Sequence, residues 1–173
     1  AIAALHYLVQ REEIDAERIG VIGFSWGGVL SLLTATEQYM SMTGTSYRFA
    51  GHVAHYPLCW VYNNPYAPGF EFNNLTGAPV MIQTGALDDY DQPETCPLML
   101  SNLIEADREL VKLKVYKNAY HAWDRLEPEL LVTDPTSHLG TGGDVLLVPN
   151  RKIAIKSRRK VVHFFEELFE DNE

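Results

Sequence analysis

The stretch Ile19-Gly20-Val21-Ile22-Gly23-Phe24-Ser25-Trp26-Gly27-Gly28 constrains this chain more than any other. Its first five residues form a short apolar run of the kind that suits a strand buried on both faces. The residues after it, Val29-Leu30-Ser31-Leu32-Leu33-Thr34-Ala35, carry helical apolar spacing. Between the two stands G-x-S-x-G, from Gly23 to Gly27. A strand that becomes a helix within so few residues puts the serine at strained backbone angles, so its close neighbours must lack a side chain. Such a turn lifts the Ser25 hydroxyl above the sheet and aims the first amides of the helix at the same point. Ser25 is thus a candidate nucleophile, and the Trp26 amide a candidate oxyanion donor.

The rest of the chain repeats the alternation of strand and helix. Residues 1–13 read as an amphipathic helix; Ala1 to Leu5 lack the basic leader and cleavage site of a signal peptide. Residues 37–50 read as a helix end plus a loop. Strands are expected at 51–56, stopped by Pro57, at 79–85, and at 111–116, where alternation marks one wetter face. A helix is expected over 93–109 and a closing helix over 151–170. Residues 60–78 and 125–150, rich in Pro, Gly and Asn, read as two long loops. This order predicts a single α/β domain with a mostly parallel, doubly wound sheet of about four strands and helices on both faces. Ligands in such sheets sit at the carboxyl ends of the strands.

A serine nucleophile needs a base, and the base needs an orienting acid. In open α/β sheets carrying this turn, the chain order is Ser, then Asp or Glu, then His. Gly85-Ala86-Leu87-Asp88-Asp89-Tyr90-Asp91 follows the third expected strand, and Asn118-Ala119-Tyr120-His121 follows the fourth. Asp88 stands nearest the strand end and is the candidate acid, with Asp89 as its rival. Asp91 and Glu94 also read as acids of a helix's first turn. His121 is the one histidine of six that follows a strand in the required order; His52 and His55 lie within a strand and read as structural.

Composition narrows the partners. A formal net charge of -9 disfavours nucleic acid, whose binding needs a basic surface. The basic cluster of Arg151, Lys152, Lys156, Arg158, Arg159 and Lys160 reads as the solvated face of the closing helix. No apolar run reaches the ~18 residues of a membrane span. Cys59 and Cys96 belong to no metal-spaced cluster. They read either as two buried thiols or as a disulfide, since both follow strands that lie side by side in the expected fold. Asn74-Leu75-Thr76 is a glycosylation sequon with chance as its simpler explanation.

Gly23-Phe24-Ser25-Trp26-Gly27-Gly28, Tyr56-Pro57-Leu58-Cys59, Gly85-Ala86-Leu87-Asp88-Asp89 and His121-Ala122-Trp123 together resemble the dienelactone hydrolase family of the α/β-hydrolase superfamily. The similarity runs over residues 1–125 and resumes in the closing helix. It implies hydrolysis of a small ester or lactone, with no metal and no organic cofactor. It carries Ser25 over as nucleophile, where founding members use cysteine, with Asp88 and His121 completing a triad. It also implies that Arg125, four residues after the histidine, helps bind a substrate carboxylate. Members of the family have further strands ahead of the helix that opens this chain, and these supply a second oxyanion donor; the chain is therefore expected to be the C-terminal portion of the fold, cut from something longer. Two other functions share this framework: a serine peptidase of the prolyl oligopeptidase type, and a non-catalytic module that keeps the fold.

Overall fold

The structure is a computed structural model and describes residues 1–170. Helix α1 spans Ile2–Leu8, shorter than the expected 1–13, and buries Leu5 against Ile19, Met40 and Phe49. Strand β1 (Gly20–Phe24) leads through Ser25 into α2 (Trp26–Leu33). A separate helix, α3 (Glu37–Met42), occupies part of the segment expected as a loop. Thr36 caps it by accepting from the Tyr39 amide, and Met40 is fully buried, which together hold this short helix in place. Strands β2 (Gly51–His55), β3 (Val80–Gly85) and β4 (Val111–Tyr116) follow at the expected places.

The helix expected over 93–109 is two helices, α4 (Thr95–Ser101) and α5 (Glu105–Glu109). Ile104 is extended between them, and the Arg108 guanidinium donates to the Leu103 carbonyl at 2.7 Å, which satisfies a group the break leaves open.

The larger correction concerns residues 125–150. They are not one loop. Strands β5 (Leu130–Asp134) and β6 (Gly143–Leu147) form an antiparallel hairpin, closed by an irregular turn, α6 (Ser137–Gly140), in which His138 and Leu139 take left-handed angles. Both strands carry a short apolar run, Leu130-Leu131-Val132 and Val145-Leu146-Leu147, inside a stretch whose Pro and Gly content reads as loop, and among the described residues they pair with each other rather than with the main sheet. Helix α7 (Arg151–Glu170) closes the described chain.

The four main strands are parallel in the order β1-β2-β3-β4. Alternation along β2 shows both faces in use. His52 Nδ1 meets the Ser31 carbonyl of α2 at 3.0 Å, and Ala54 packs with Leu32 and Ile82. Gly51 and His55 face α7 instead: a Cβ on Gly51 would lie 2.6 Å from Leu168, and Gln83 beside His55 donates to the Ser157 carbonyl at 3.2 Å. The sheet is thus covered on both sides, as the sequence predicts. Strands β1 and β4 are the two edges of this sheet among the described residues, and on β1 Ile22 and Phe24 are about two-fifths exposed. No helix among the described residues is long and apolar enough to cross a membrane.

Candidate active site

The turn after β1 has the strain its sequence predicts. Ser25 sits at φ 54°, ψ -121°, a sparsely populated region for a residue with a side chain. Its amide donates to the His55 carbonyl at 3.0 Å, which ties the turn to β2. Gly23 is required here, because a Cβ would stand 1.8 Å from the Gly27 carbonyl oxygen. Gly28 is close to Pro57 and the His55 carbonyl. Gly27, by contrast, has open space where a Cβ would go, so the steric argument holds for Gly23 and Gly28 rather than for both ends of the motif. Helix α2 starts at Trp26, whose amide heads the set of N-terminal donors with no intrahelical partner.

Three strand ends bring their residues to this turn. His121 Nε2 lies 2.8 Å from Ser25 Oγ, and His121 Nδ1 lies 2.8 Å from Asp88 Oδ2. The side chains of His121 and Asp88 are almost wholly buried. The other Asp88 oxygen accepts from the Tyr90 amide at 2.9 Å. Asp89 faces away from the imidazole: its Oδ2 accepts from the Leu146 amide at 2.9 Å, and its carbonyl from the His138 amide at 2.8 Å. Geometry therefore brings Asp88 to the histidine and gives Asp89 to the hairpin.

Two tyrosines that the sequence did not single out pack on the His121 ring. The centroid of Tyr56 lies 4.7 Å away and that of Tyr90 4.4 Å away. Each hydroxyl is held by a carboxylate, Tyr56 by Asp124 at 2.7 Å and Tyr90 by Asp134 at 2.9 Å. Burial, and then these acceptors, push both phenols well above their ordinary range. Tyr56 follows β2 directly at φ 37°, a strand-end position that could have flagged it. Asp134 sits in a segment that reads as loop, and nothing in its spacing ties it to the site. His52 and His55 are structural, as expected; burial pushes both down to about 4, so they are neutral at neutral pH.

A cleft of about 560 Å3 opens beside Ser25 and Trp26. Leu58, Trp60, Phe70 and Tyr90 form its walls, and among the described residues Asp134 is the one charged residue that lines it. Arg125 does not line this cleft. Its Nε faces Glu127 at 3.8 Å, and its buried Nη1 has no hydrogen-bond partner. Cys59 and Cys96 form a disulfide that ties the start of the 60–78 loop to α4. Asp91 lies against them, and burial pushes its carboxyl up to about 7, although Thr95 Oγ1 and the Cys59 amide both donate to it. Among the described residues, Cys59, Asp91 and Cys96 are also the one grouping with metal-ligand spacing, but the two sulfurs are bonded to each other.

The family model of the dienelactone hydrolases matches residues 1–169. No curated protein matches the chain by sequence. Among solved structures, a Klebsiella pneumoniae protein assigned as a dienelactone hydrolase is 20% identical, with TM-score 0.63, over 94% of this chain and 57% of its own. A dienelactone hydrolase-like promiscuous phosphotriesterase from metagenomic libraries is 22% identical, with TM-score 0.59, over 96% of this chain and 59% of its own. A Bacteroides ovatus protein assigned as a dipeptidyl aminopeptidase IV is 19% identical, with TM-score 0.61, over 96% of this chain and 21% of its own. At these identities the likeness is one of fold, and the chain spans less than two thirds of the length of each. The match over residues 1–169, which contains Ser25, Asp88 and His121, and the parallel sheet shared with these structures lead to one conclusion: the chain belongs to the dienelactone hydrolase family and carries the α/β-hydrolase fold.

Proposed function

We propose that this chain carries the catalytic residues of a serine esterase that hydrolyses a small carboxylic ester or lactone. The observation that carries the reading is the unbroken run of hydrogen bonds from Asp88 through His121 to Ser25, with both contacts at 2.8 Å. Ser25 Oγ attacks the ester carbonyl carbon while His121 Nε2 takes its proton. Asp88 holds the Nδ1 proton, and with it the tautomer that leaves Nε2 free to accept, and stabilises the imidazolium. The Trp26 amide donates to the oxygen that becomes negative. When the C–O bond to the alcohol breaks, the imidazolium protonates the leaving oxygen, and an acyl group remains on Ser25. Water then repeats the sequence: His121 takes its proton, the acyl–oxygen bond breaks, and Ser25 regains a hydrogen as the acid leaves.

The chemistry of the cleft supports a small organic substrate, since its walls are apolar and aromatic with few polar groups. The role the family resemblance implies for Arg125 draws less support, because that residue does not line the cleft.

The test is labelling of the full-length protein and of Ser25→Ala with a fluorophosphonate, mapped by peptide mass spectrometry. Phosphonylation of the Ser25 peptide, absent from the variant, is expected. A folded full-length protein that takes no label would favour the non-catalytic module. Comparison of a short-chain ester with a peptide amide then separates esterase from peptidase.

A further inference from the structure

We propose that Asp134 makes the cleft beside Ser25 selective for esters whose apolar body carries a positive charge, an alkylammonium or trimethylammonium group. This rests on Ser25 acting as the nucleophile of an esterase.

The inference starts from what lines the cleft. Trp26, Trp60, Phe70 and Tyr90 present aromatic rings, and Asp134 is the one charged residue that lines the cleft among the described residues. Aromatic faces attract cations through their quadrupoles, and an adjacent carboxylate adds a full negative charge. A neutral or anionic substrate would use only half of this arrangement, and a carboxylate would be repelled by it.

Asp134 is also fixed in place. Its Oδ1 accepts from the Thr136 amide and from Thr136 Oγ1, both at 2.7 Å, and its Oδ2 accepts from Tyr90 at 2.9 Å. The Thr136 hydroxyl and amide, then Tyr90, hold its carboxyl below the usual carboxylate range, so it stays ionised at neutral pH. The hairpin therefore delivers a set negative charge rather than a wandering one, which reduces the ordering cost of binding. The guanidinium that could receive a substrate carboxylate, Arg125, lies outside this cleft beside Glu127. The net charge of -9 further favours the approach of cations.

The experiment is kcat/KM of the full-length protein for three butyrate esters matched in shape: the choline ester, its uncharged isostere 3,3-dimethylbutyl butyrate, and a carboxylate-bearing analogue. The expected order is cation, neutral, anion, with about fivefold between cation and neutral at low ionic strength, shrinking as salt screens Asp134. In Asp134→Asn, which keeps an acceptor oxygen for Thr136, the ratio of choline to 3,3-dimethylbutyl ester is expected to fall to about one. In Tyr90→Phe, which leaves the charge and both Thr136 bonds, the ratio is expected to persist. Equal kcat/KM for the two esters in the parent protein, or a preference that survives Asp134→Asn, overturns the proposal. Should no ester turn over, that failure belongs to the esterase reading. The cleft is then decided by titrating choline against 3,3-dimethylbutanol with tryptophan emission as readout. About fivefold tighter choline binding, lost in Asp134→Asn, supports the proposal, and equal affinity overturns it.

Discussion

The ring of Tyr90 lies 4.4 Å from that of His121, and its hydroxyl donates to Asp134 on the β5–β6 hairpin at 2.9 Å. A segment far along the chain thus braces the side chain proposed as the base. Small misplacements of a reacting group cost rate steeply. Tyr90→Ala is expected to lower kcat about tenfold or more, with a smaller change for Tyr90→Phe, which keeps the ring. Steady-state kinetics on a short-chain ester checks this, and equal rates for Tyr90→Ala and parent would remove the bracing role.

Asp88 and Asp89 are neighbours with different partners, the His121 ring and the Leu146 amide. Asp88→Asn is expected to lower kcat roughly 10³- to 10⁴-fold, because the amide no longer selects the imidazole tautomer that can accept from Ser25. Asp89→Ala leaves the Leu146 amide without its partner and is expected to cost about 1–2 kcal/mol of stability with a much smaller loss of rate. The pair of kcat and denaturation measurements distinguishes the two, and the reverse pattern would make Asp89 the orienting acid.

The Cys59–Cys96 disulfide spans 37 residues of chain. On the chain-entropy account, closing a loop of that size stabilises the fold by about 4 kcal/mol. Urea denaturation with and without reductant, repeated on Cys59→Ala/Cys96→Ala, is expected to show a midpoint lowered alike by reduction and by substitution. Unchanged midpoints would mean that the bridge does not constrain the unfolded chain.

Asp91 gives the stability a pH dependence whose sign can be worked out. Its carboxyl is raised to about 7 in the fold, against 3.8 for an unperturbed side chain, so the folded state holds a proton that the unfolded chain releases. That contribution is complete below pH 3.8 and is lost as pH rises through about 7. His52 and His55, lowered from 6.5 to about 4, act oppositely: their contribution is present above 6.5 and lost as pH falls through about 4. Comparison of Asp91→Asn with the parent isolates the first effect. Its stability relative to the parent is expected to rise by a few kcal/mol, on the order of the shift, between pH 4 and 7. Denaturant titrations at three pH values in that window test this; parallel curves would contradict it.

Gly23 and Gly27 flank Ser25 but meet different surroundings. Gly23→Ala would drive a Cβ to within 1.8 Å of the Gly27 carbonyl oxygen, so a stability loss of about 3 kcal/mol and loss of fluorophosphonate reactivity are expected. Gly27→Ala points into open space within a helix and is expected to leave the melting temperature equal or higher. Thermal melts of the two variants provide the check.

How far the amino-acid sequence alone could take this protein depended on the range of the forces involved. Buried parallel strands need near-continuous apolar runs, so Ile19–Gly23, Gly51–Tyr56 and Pro79–Gly85 were legible as strands, and the strained turn at Ser25 was legible through Gly23. Chain order and distance from a strand end were enough to nominate Asp88 and His121, because a parallel sheet presents every strand's carboxyl end on one edge. Three things waited for the tertiary structure. The β5–β6 hairpin has short apolar runs, Leu130-Leu131-Val132 and Val145-Leu146-Leu147, but they do not reveal that these strands pair with each other and contact Asp89 and Tyr90. The choice between Asp88 and Asp89 turned on which way two adjacent carboxylates point, and adjacent residues on an irregular turn carry no periodicity to decide that. The charge at the cleft came from Asp134 and not from Arg125, since a residue's distance from Ser25 through space is set by how the hairpin folds back, and spacing along the chain does not encode it.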